Sequence, residues 1–90
     1  MVERRLRINN PLGLHARAAA QLVRMAGRFR CLIALSRDDS GVSANAKSIL
    51  SVLHLAAGYG VAVTITAVGE DEDEAMAAIE ELFLVGFGEI

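Results

Sequence analysis

The 90-residue chain has one cysteine, one proline, no tryptophan and only four other aromatic side chains, three phenylalanines and a tyrosine. With Cys31 alone, no intramolecular disulfide can form and metal-ligand spacing is absent. Its neighbours Leu32, Ile33 and Leu35 mark a buried thiol rather than a reactive one. The single proline, Pro11, leaves no proline-rich linker, and no repeat or low-complexity segment is present. So few aromatics, with no recognition motif and a net charge of −2, exclude a stacking platform for single-stranded nucleic acid. Acids are scarce at the start and bases at the end. Residues 1–37 carry eight arginines against Glu3, a net charge of +7, and residues 38–90 carry Lys47 against ten acids, a net charge of −9. Two explanations compete: solvated faces, or a basic surface for an acidic or phosphorylated partner.

The longest stretch without Asp, Glu, Lys or Arg, Ser48 to Gly69, is long enough to cross a bilayer. It nevertheless contains Ser48, Ser51, His54, Thr64 and Thr66, and Gly58-Tyr59-Gly60 interrupts it. Its second half, Val61-Ala62-Val63-Thr64-Ile65-Thr66, is alternating and β-branched, as a strand is. The start, Met1-Val2-Glu3-Arg4-Arg5, leads into no apolar signal-peptide region. A soluble cytoplasmic protein without membrane insertion is expected. What is abundant is apolar side chain, 53% of residues. That suffices for one core in a single domain over residues 1–90, which buries roughly 60–65% of the unfolded surface, and it excludes a disordered tail.

Val2, Leu6 and Ile8 share a period of two, predicting a first strand over Val2 to Asn9, followed by a loop at Asn9-Asn10-Pro11-Leu12-Gly13. Ala19, Leu22, Val23 and Ala26 form the apolar stripe of a helix that begins at Ala16 and stops at Gly27. Cys31, Ile33 and Leu35 alternate as a second strand, Arg37 to Gly41 turns, and Val42 to Asn45 makes a third strand. A second helix is expected from Ser48, its candidate cap, to about Ala57, with Gly58 as its stop. The fourth strand covers Val61 to Val68. Glu70-Asp71-Glu72-Asp73-Glu74 opens a last helix with Ala75, Ala78, Ile79, Leu82 and Phe83 on one face and Gly86 at its end. Acids in a first turn suit the helix dipole. The order β-α-β-β-α-β-α predicts an α+β, two-layer open-faced sandwich, an antiparallel sheet with its helices on one face. The alternative is a ferredoxin-like small-molecule sensor domain, which lacks the final helix.

Of two histidines, His54 lies mid-helix between Leu53 and Leu55, a structural setting. His15 directly precedes the first helix as its predicted N-cap, where unpaired backbone N–H groups and the positive dipole end make an anion site. Arg17 adds a fixed positive charge and Gly13 allows close backbone approach. A neutral imidazole beside anion-binding donors suits acceptance of a phosphoryl group.

The segment Asn10-Pro11-Leu12-Gly13-Leu14-His15-Ala16-Arg17 resembles the active-site segment of the HPr family, the histidine-containing phosphocarriers of the bacterial phosphotransferase system. Ala44-Asn45-Ala46-Lys47-Ser48-Ile49-Leu50-Ser51-Val52 resembles the family's second signature, and Leu82-Phe83-Leu84-Val85-Gly86-Phe87 is similar to the C-terminus of its nitrogen-related branch. The resemblance implies three helices on one face of a four-stranded sheet of order 1-4-2-3. It implies a phosphoryl carrier rather than an enzyme, with no cofactor and no metal, working as a monomer. His15 would accept the group on Nδ1 from phosphorylated enzyme I and pass it to enzyme IIA-type domains. Arg17 would contact the phosphoryl group, with the backbone amides of Ala16 and Arg17 cradling it. Ser48 falls at the regulatory serine that HPr kinase/phosphorylase modifies in some members. Leu14, Ala20, Arg24, Arg28, Ile49, Leu50 and Leu53 would form the partner-docking surface, apolar at its centre and basic at its rim. Two departures stand out: Ala18 replaces the family's usual proline after the arginine, and the distance from His15 to the serine is two residues longer. The first leaves two alternatives, a sugar-transport carrier or a nitrogen-related regulatory relative.

Overall fold

The computed structural model describes residues 1–89. Its elements are β1 (Val2–Arg7), α1 (Ala16–Ala26), β2 (Leu32–Arg37), β3 (Ser43–Asn45), α2 (Ile49–Leu55), β4 (Ala62–Val68) and α3 (Glu72–Leu84), followed by a 3₁₀ turn over Gly86–Gly88. All strand pairs are antiparallel, and the sheet order is β1-β4-β2-β3. The predicted open-faced sandwich is therefore present, with the final helix that a ferredoxin-like sensor would lack.

Register follows from the period of two. Ile33 stands opposite Ala67, Leu35 opposite both Ile65 and Ala44, and Leu6 opposite Val63. Ile33, Leu35, Ala44, Val63, Ile65 and Ala67 are buried beneath the helices, whereas Ala34, Ser36, Thr64 and Thr66 between them are half-buried. A slip of one residue would carry this apolar set to the open face. From above, Ala18, Ala19, Leu22 and Ala26 of α1, Val52 and Leu55 of α2, and Ala75, Met76, Ile79 and Phe83 of α3 complete the core. Val23, Ala78 and Leu82, expected on core faces, are half-buried at its margin. Glu3, Arg4, Arg5 and Arg7 on the edge strand β1 are exposed, and charge of this kind discourages edge-to-edge pairing.

The second helix ends earlier than expected. Ala56, at φ +51, takes the left-handed cap position assigned to Gly58. The carbonyls freed there are collected by Arg37, whose Nη1 donates to Leu55 O at 3.2 Å and Ala56 O at 3.1 Å while its guanidinium pairs with Asp39. Arg37 is thus a side-chain cap on the negative end of α2. At the end of α1, Gly27 keeps a right-handed φ of −65, so the helix stops there without using glycine's special freedom.

The acids before α3 do more than complement its dipole. Glu72, Asp73 and Glu74 occupy the first turn, as expected, and Glu72 also accepts from Gly69 N. Asp71 accepts from Arg30 N at 2.8 Å and Cys31 N at 3.0 Å, fastening the α1–β2 connection to the start of α3. The Arg30 amide, aided by Cys31, holds the Asp71 carboxyl below the usual carboxylate range, while burial is the chief influence pushing the Cys31 thiol up. A depressed folded-state pKa contributes stability that is fully present above the unfolded value of about 3.9 and is lost as pH falls through the folded value. Asp71→Asn should therefore melt below wild type at pH 7, and the gap should narrow as pH falls from about 4 toward the folded pKa. Thermal melts of both proteins across that range check it.

Candidate functional site

His15 is the N-cap of α1, extended at φ −73 and ψ 179, and its side chain makes no capping hydrogen bond. The imidazole is therefore not spent on the helix. The first turn closes only with Ala19 N donating to His15 O at 2.8 Å, so the amides of Ala16, Arg17 and Ala18 precede the intrahelical ladder. Those amides and the dipole form the positive end of a helix without an acid in its first turn. Ala16 and Arg17 are exposed, and His15 is half-buried.

The loop before His15 is held by its own backbone. Gly13 N donates to Asn10 O at 3.1 Å, and the fully buried Asn10 returns Nδ2 to Gly13 O at 2.8 Å. Gly13 sits at φ +64, and a β-carbon there would stand 2.6 Å from Gly58 Cα and 2.7 Å from Ala57 O. Only glycine fits. The next residue, Leu14, donates its N–H to Ala57 O at 2.9 Å, fastening the loop to the chain just beyond α2.

One site residue was absent from the sequence expectations. The Glu89 carboxylate reaches the loop, where Oε2 accepts from Asn10 Nδ2 at 3.1 Å and lies 2.5 Å from His15 Nε2, and Oε1 accepts from Leu12 N at 3.3 Å. The contact with His15 is the main influence holding the Glu89 carboxyl below its ordinary range, with the Asn10 and Leu12 donors adding to it. No spacing rule could have found a partner 74 residues away; Gly86 marked only the end of the last helix. Among the described residues, no group of three or more His, Cys, Asp or Glu could hold a metal ion.

An imidazole at a helix N-terminus, in a shallow loop rather than a pocket, is the arrangement expected of a phosphoryl acceptor. Comparison with known proteins points the same way. The family model described as PTS HPr component phosphorylation site matches residues 2–84. The phosphocarrier protein HPr of Cupriavidus necator is 47% identical over 89 residues, covering 99% of this chain and 98% of its own. The chain belongs to the HPr family. A crystal structure of HPr from Thermoanaerobacter tengcongensis superposes with a TM-score of 0.93 at 39% identity, covering 100% of this chain and 99% of that one. An HPr dimer from the same organism superposes at 0.77, with 39% identity and coverage of 99% and 100%. HPr proteins are phosphocarriers of the phosphotransferase system and not enzymes, and this chain shares that general role.

The residues that the HPr resemblance assigned to docking are placed differently from one another. Leu14 is only 4% exposed and joins the core, so it cannot be a contact residue. Its amide is bonded to Ala57 O while its side chain lies in the interior. Ala20 is half-buried, whereas Arg24 and Arg28 are exposed and, with Gln21, Met25 and Leu82, line a groove of 490 Å³ between α1 and α3. Ile49, Leu50 and Leu53 all reach solvent on α2, Leu50 most of all at 76% exposure. Ser48 caps α2 as expected, its Oγ accepting from Ser51 N at 3.3 Å. His54 is exposed on the same helix and takes no part in the site. Leu12, 68% exposed in the His15 loop, is an apolar surface residue that the sequence expectations passed over. Leu14→Ala should cost about 2–5 kcal/mol of stability, and Leu50→Ala should change it by less than about 0.5 kcal/mol. Urea denaturation of the two variants measures the contrast.

Proposed function

We propose that His15 is the phosphoryl acceptor of this HPr-family carrier, receiving the group from phosphorylated enzyme I and donating it to enzyme IIA-type domains in the cytoplasm. The observation that carries this reading is the position of an imidazole that makes no capping bond at the start of α1, beside amides outside the intrahelical ladder. The amides of Ala16 and Arg17 cradle the transferred oxygens, and the exposed Arg17 guanidinium neutralises part of their charge. The site is open, as a carrier requires. A deep pocket would retain the group, whereas a helix end and one arginine hold it only until an acceptor arrives.

Docking falls to the apolar surface of Ile49, Leu50 and Leu53 and to the basic rim of Arg24 and Arg28, with Ala20 beside it. A small apolar centre within a charged rim suits short-lived complexes. The site asks only that the His15 face stay open, which a monomer satisfies. The HPr dimer from Thermoanaerobacter tengcongensis shows that a relative also exists as two copies. Ser48 is a candidate for modification by HPr kinase/phosphorylase. A phosphate there would bring about −1.5 to −2 charges to the N-terminus of α2, next to the docking surface, and would repel an acidic partner.

A second reading, a carrier of the nitrogen-related branch, draws on the segment Leu82 to Phe87 and on Ala18 in place of proline. Ala18 lies buried in the first turn of α1, where a missing N–H would have cost little. Transfer from this chain to sugar-specific or nitrogen-related IIA domains separates the two branches.

Incubation with enzyme I and phosphoenolpyruvate should add one acid-labile, base-stable phosphate, lost in His15→Ala; no labelling of wild type would end the proposal. Arg17→Ala should retain the fold and slow transfer at least severalfold. Rapid-quench labelling measures this, and an unchanged rate would leave the helix end as the whole phosphoryl site.

A further inference from the structure

Three consecutive carbonyls at the end of α2, those of Leu55, Ala56 and Ala57, are claimed from outside the helix. Arg37 Nη1 donates to the first two, at 3.2 and 3.1 Å, and Leu14 N in the His15 loop donates to the third at 2.9 Å. Gly13 lies against the same stretch, at Ala57 and Gly58. The segment that ends α2 is therefore also the bed of the His15 loop. It is not self-supporting. α2 spans only seven residues, well below the length at which a helix holds by its own hydrogen bonds. Ala56 closes it at φ 51, a left-handed conformation unfavourable to a residue with a β-carbon.

Arg37 holds that segment from a rigid base. Its backbone sits at the foot of the β2–β3 hairpin, where its N–H donates to Val42 O and its carbonyl accepts from Gly41 N, both at 2.8 Å. Its guanidinium forms a two-pronged pair with Asp39, Nε to Oδ1 at 3.0 Å and Nη2 to Oδ2 at 2.7 Å, which leaves Nη1 for the helix end. Only 23% of the Arg37 side chain is exposed, against 56% for Asp39. A planar fork held on one side by a carboxylate presents its remaining donor in one fixed direction, which the single ammonium of a lysine does not.

We propose that Arg37, oriented by Asp39, is a positioning residue for partner docking: it fixes the segment shared by α2 and the His15 loop, and with it the placement of Ile49, Leu50 and Leu53 relative to His15. The inference rests on the docking surface and the acceptor role proposed above for those residues. A partner that delivers or removes a phosphoryl group must meet the apolar surface of α2 and the His15 ring in one encounter. If the last turn of α2 frays, the surface and the ring move independently, and ordering them adds to the cost of binding. With the clamp closed, that ordering is already complete in the free protein. The side-chain bonds of Arg37 go to Asp39, Leu55 and Ala56, so its effect falls on the encounter with the partner and not on the chemistry of the ring.

The test has two arms. Without any partner, ¹⁵N relaxation dispersion of Arg37→Gln should show microsecond-to-millisecond exchange broadening at Leu53, Leu55 and Leu14 together, which wild type lacks and which β4 and α3 lack in both proteins. In steady-state transfer from phosphorylated enzyme I, Arg37→Gln should raise KM about tenfold and keep kcat within about twofold. Asp39→Asn, which leaves the carbonyl bonds in place, should raise KM about threefold. In a Leu50→Ala background, Arg37→Gln should raise KM by less than about threefold, because the clamp acts through the docking leucines. An arginine that only stabilised the fold would lower the melting temperature and leave KM alone. No broadening at Leu14, an unchanged KM, a loss confined to kcat, or full additivity with Leu50→Ala would each overturn the proposal. Should Arg37→Gln not fold, Asp39→Asn carries the test, and an unchanged KM there overturns it. A wild type that takes no phosphate from enzyme I counts against the acceptor reading, and the relaxation arm, which needs no donor, still decides whether Arg37 couples α2 to the His15 loop.

Discussion

The close approach of Gly13 to the Ala57–Gly58 backbone is the constraint on which the site depends. A β-carbon at Gly13 would fall inside van der Waals contact with two backbone atoms, so the His15 loop can lie against the end of α2 only because that position is glycine. The hydrogen bond from Leu14 N to Ala57 O then fixes the register between the two segments, and the Leu14 side chain lies in the core. From that contact follow both the placement of His15 at the mouth of α1 and the adjacency of α2, with its exposed leucines, to the same end of the molecule.

Charge in this protein is used mainly in local latches. Arg37 closes α2, Asp71 fastens the α1–β2 connection, Arg5 pairs with Asp38, and Arg7 donates to Gly60 O. Asp38 also accepts from Thr64, and together the two donors hold its carboxyl below the usual range. These contacts occupy the side chains of Arg5, Arg7 and Arg37 and of Asp38, Asp39 and Asp71. What is left over on α1, Arg17, Arg24 and Arg28, is exposed on the helix that begins at His15. The basic first third is therefore partly scaffold and partly an exposed basic face on α1.

The alternation of Ile33 and Leu35, and of Val63 and Ile65, made the strands readable, because a sheet with one covered face imposes a period of two. The stripe Ala19, Leu22 and Ala26 did the same for α1. Ends of elements were less readable. Glycine at 58 was the obvious stop for α2, but the helix ends at Ala56, where Arg37, distant in sequence, takes up the freed carbonyls. The family resemblance placed Leu14 on the docking surface, yet a motif says nothing of which way a side chain turns, and Leu14 packs into the core.

The sequence by itself determined the strand and helix types, the N-cap position of His15, the cap at Ser48 and the family to which the motif belongs. Each is encoded in a run of neighbouring residues: an apolar period, a capping hydroxyl, or a glycine-leucine-histidine-alanine-arginine segment. Only the tertiary structure decided that Leu14 is core, that Arg37 caps α2, and that Glu89 faces His15 Nε2. Those contacts join residues from 18 to 74 positions apart and depend on how the chain reverses at Phe87 and crosses at Gly13. Local pattern carries no record of such distances, because the energy that selects them arises only when the packed core has brought the segments together.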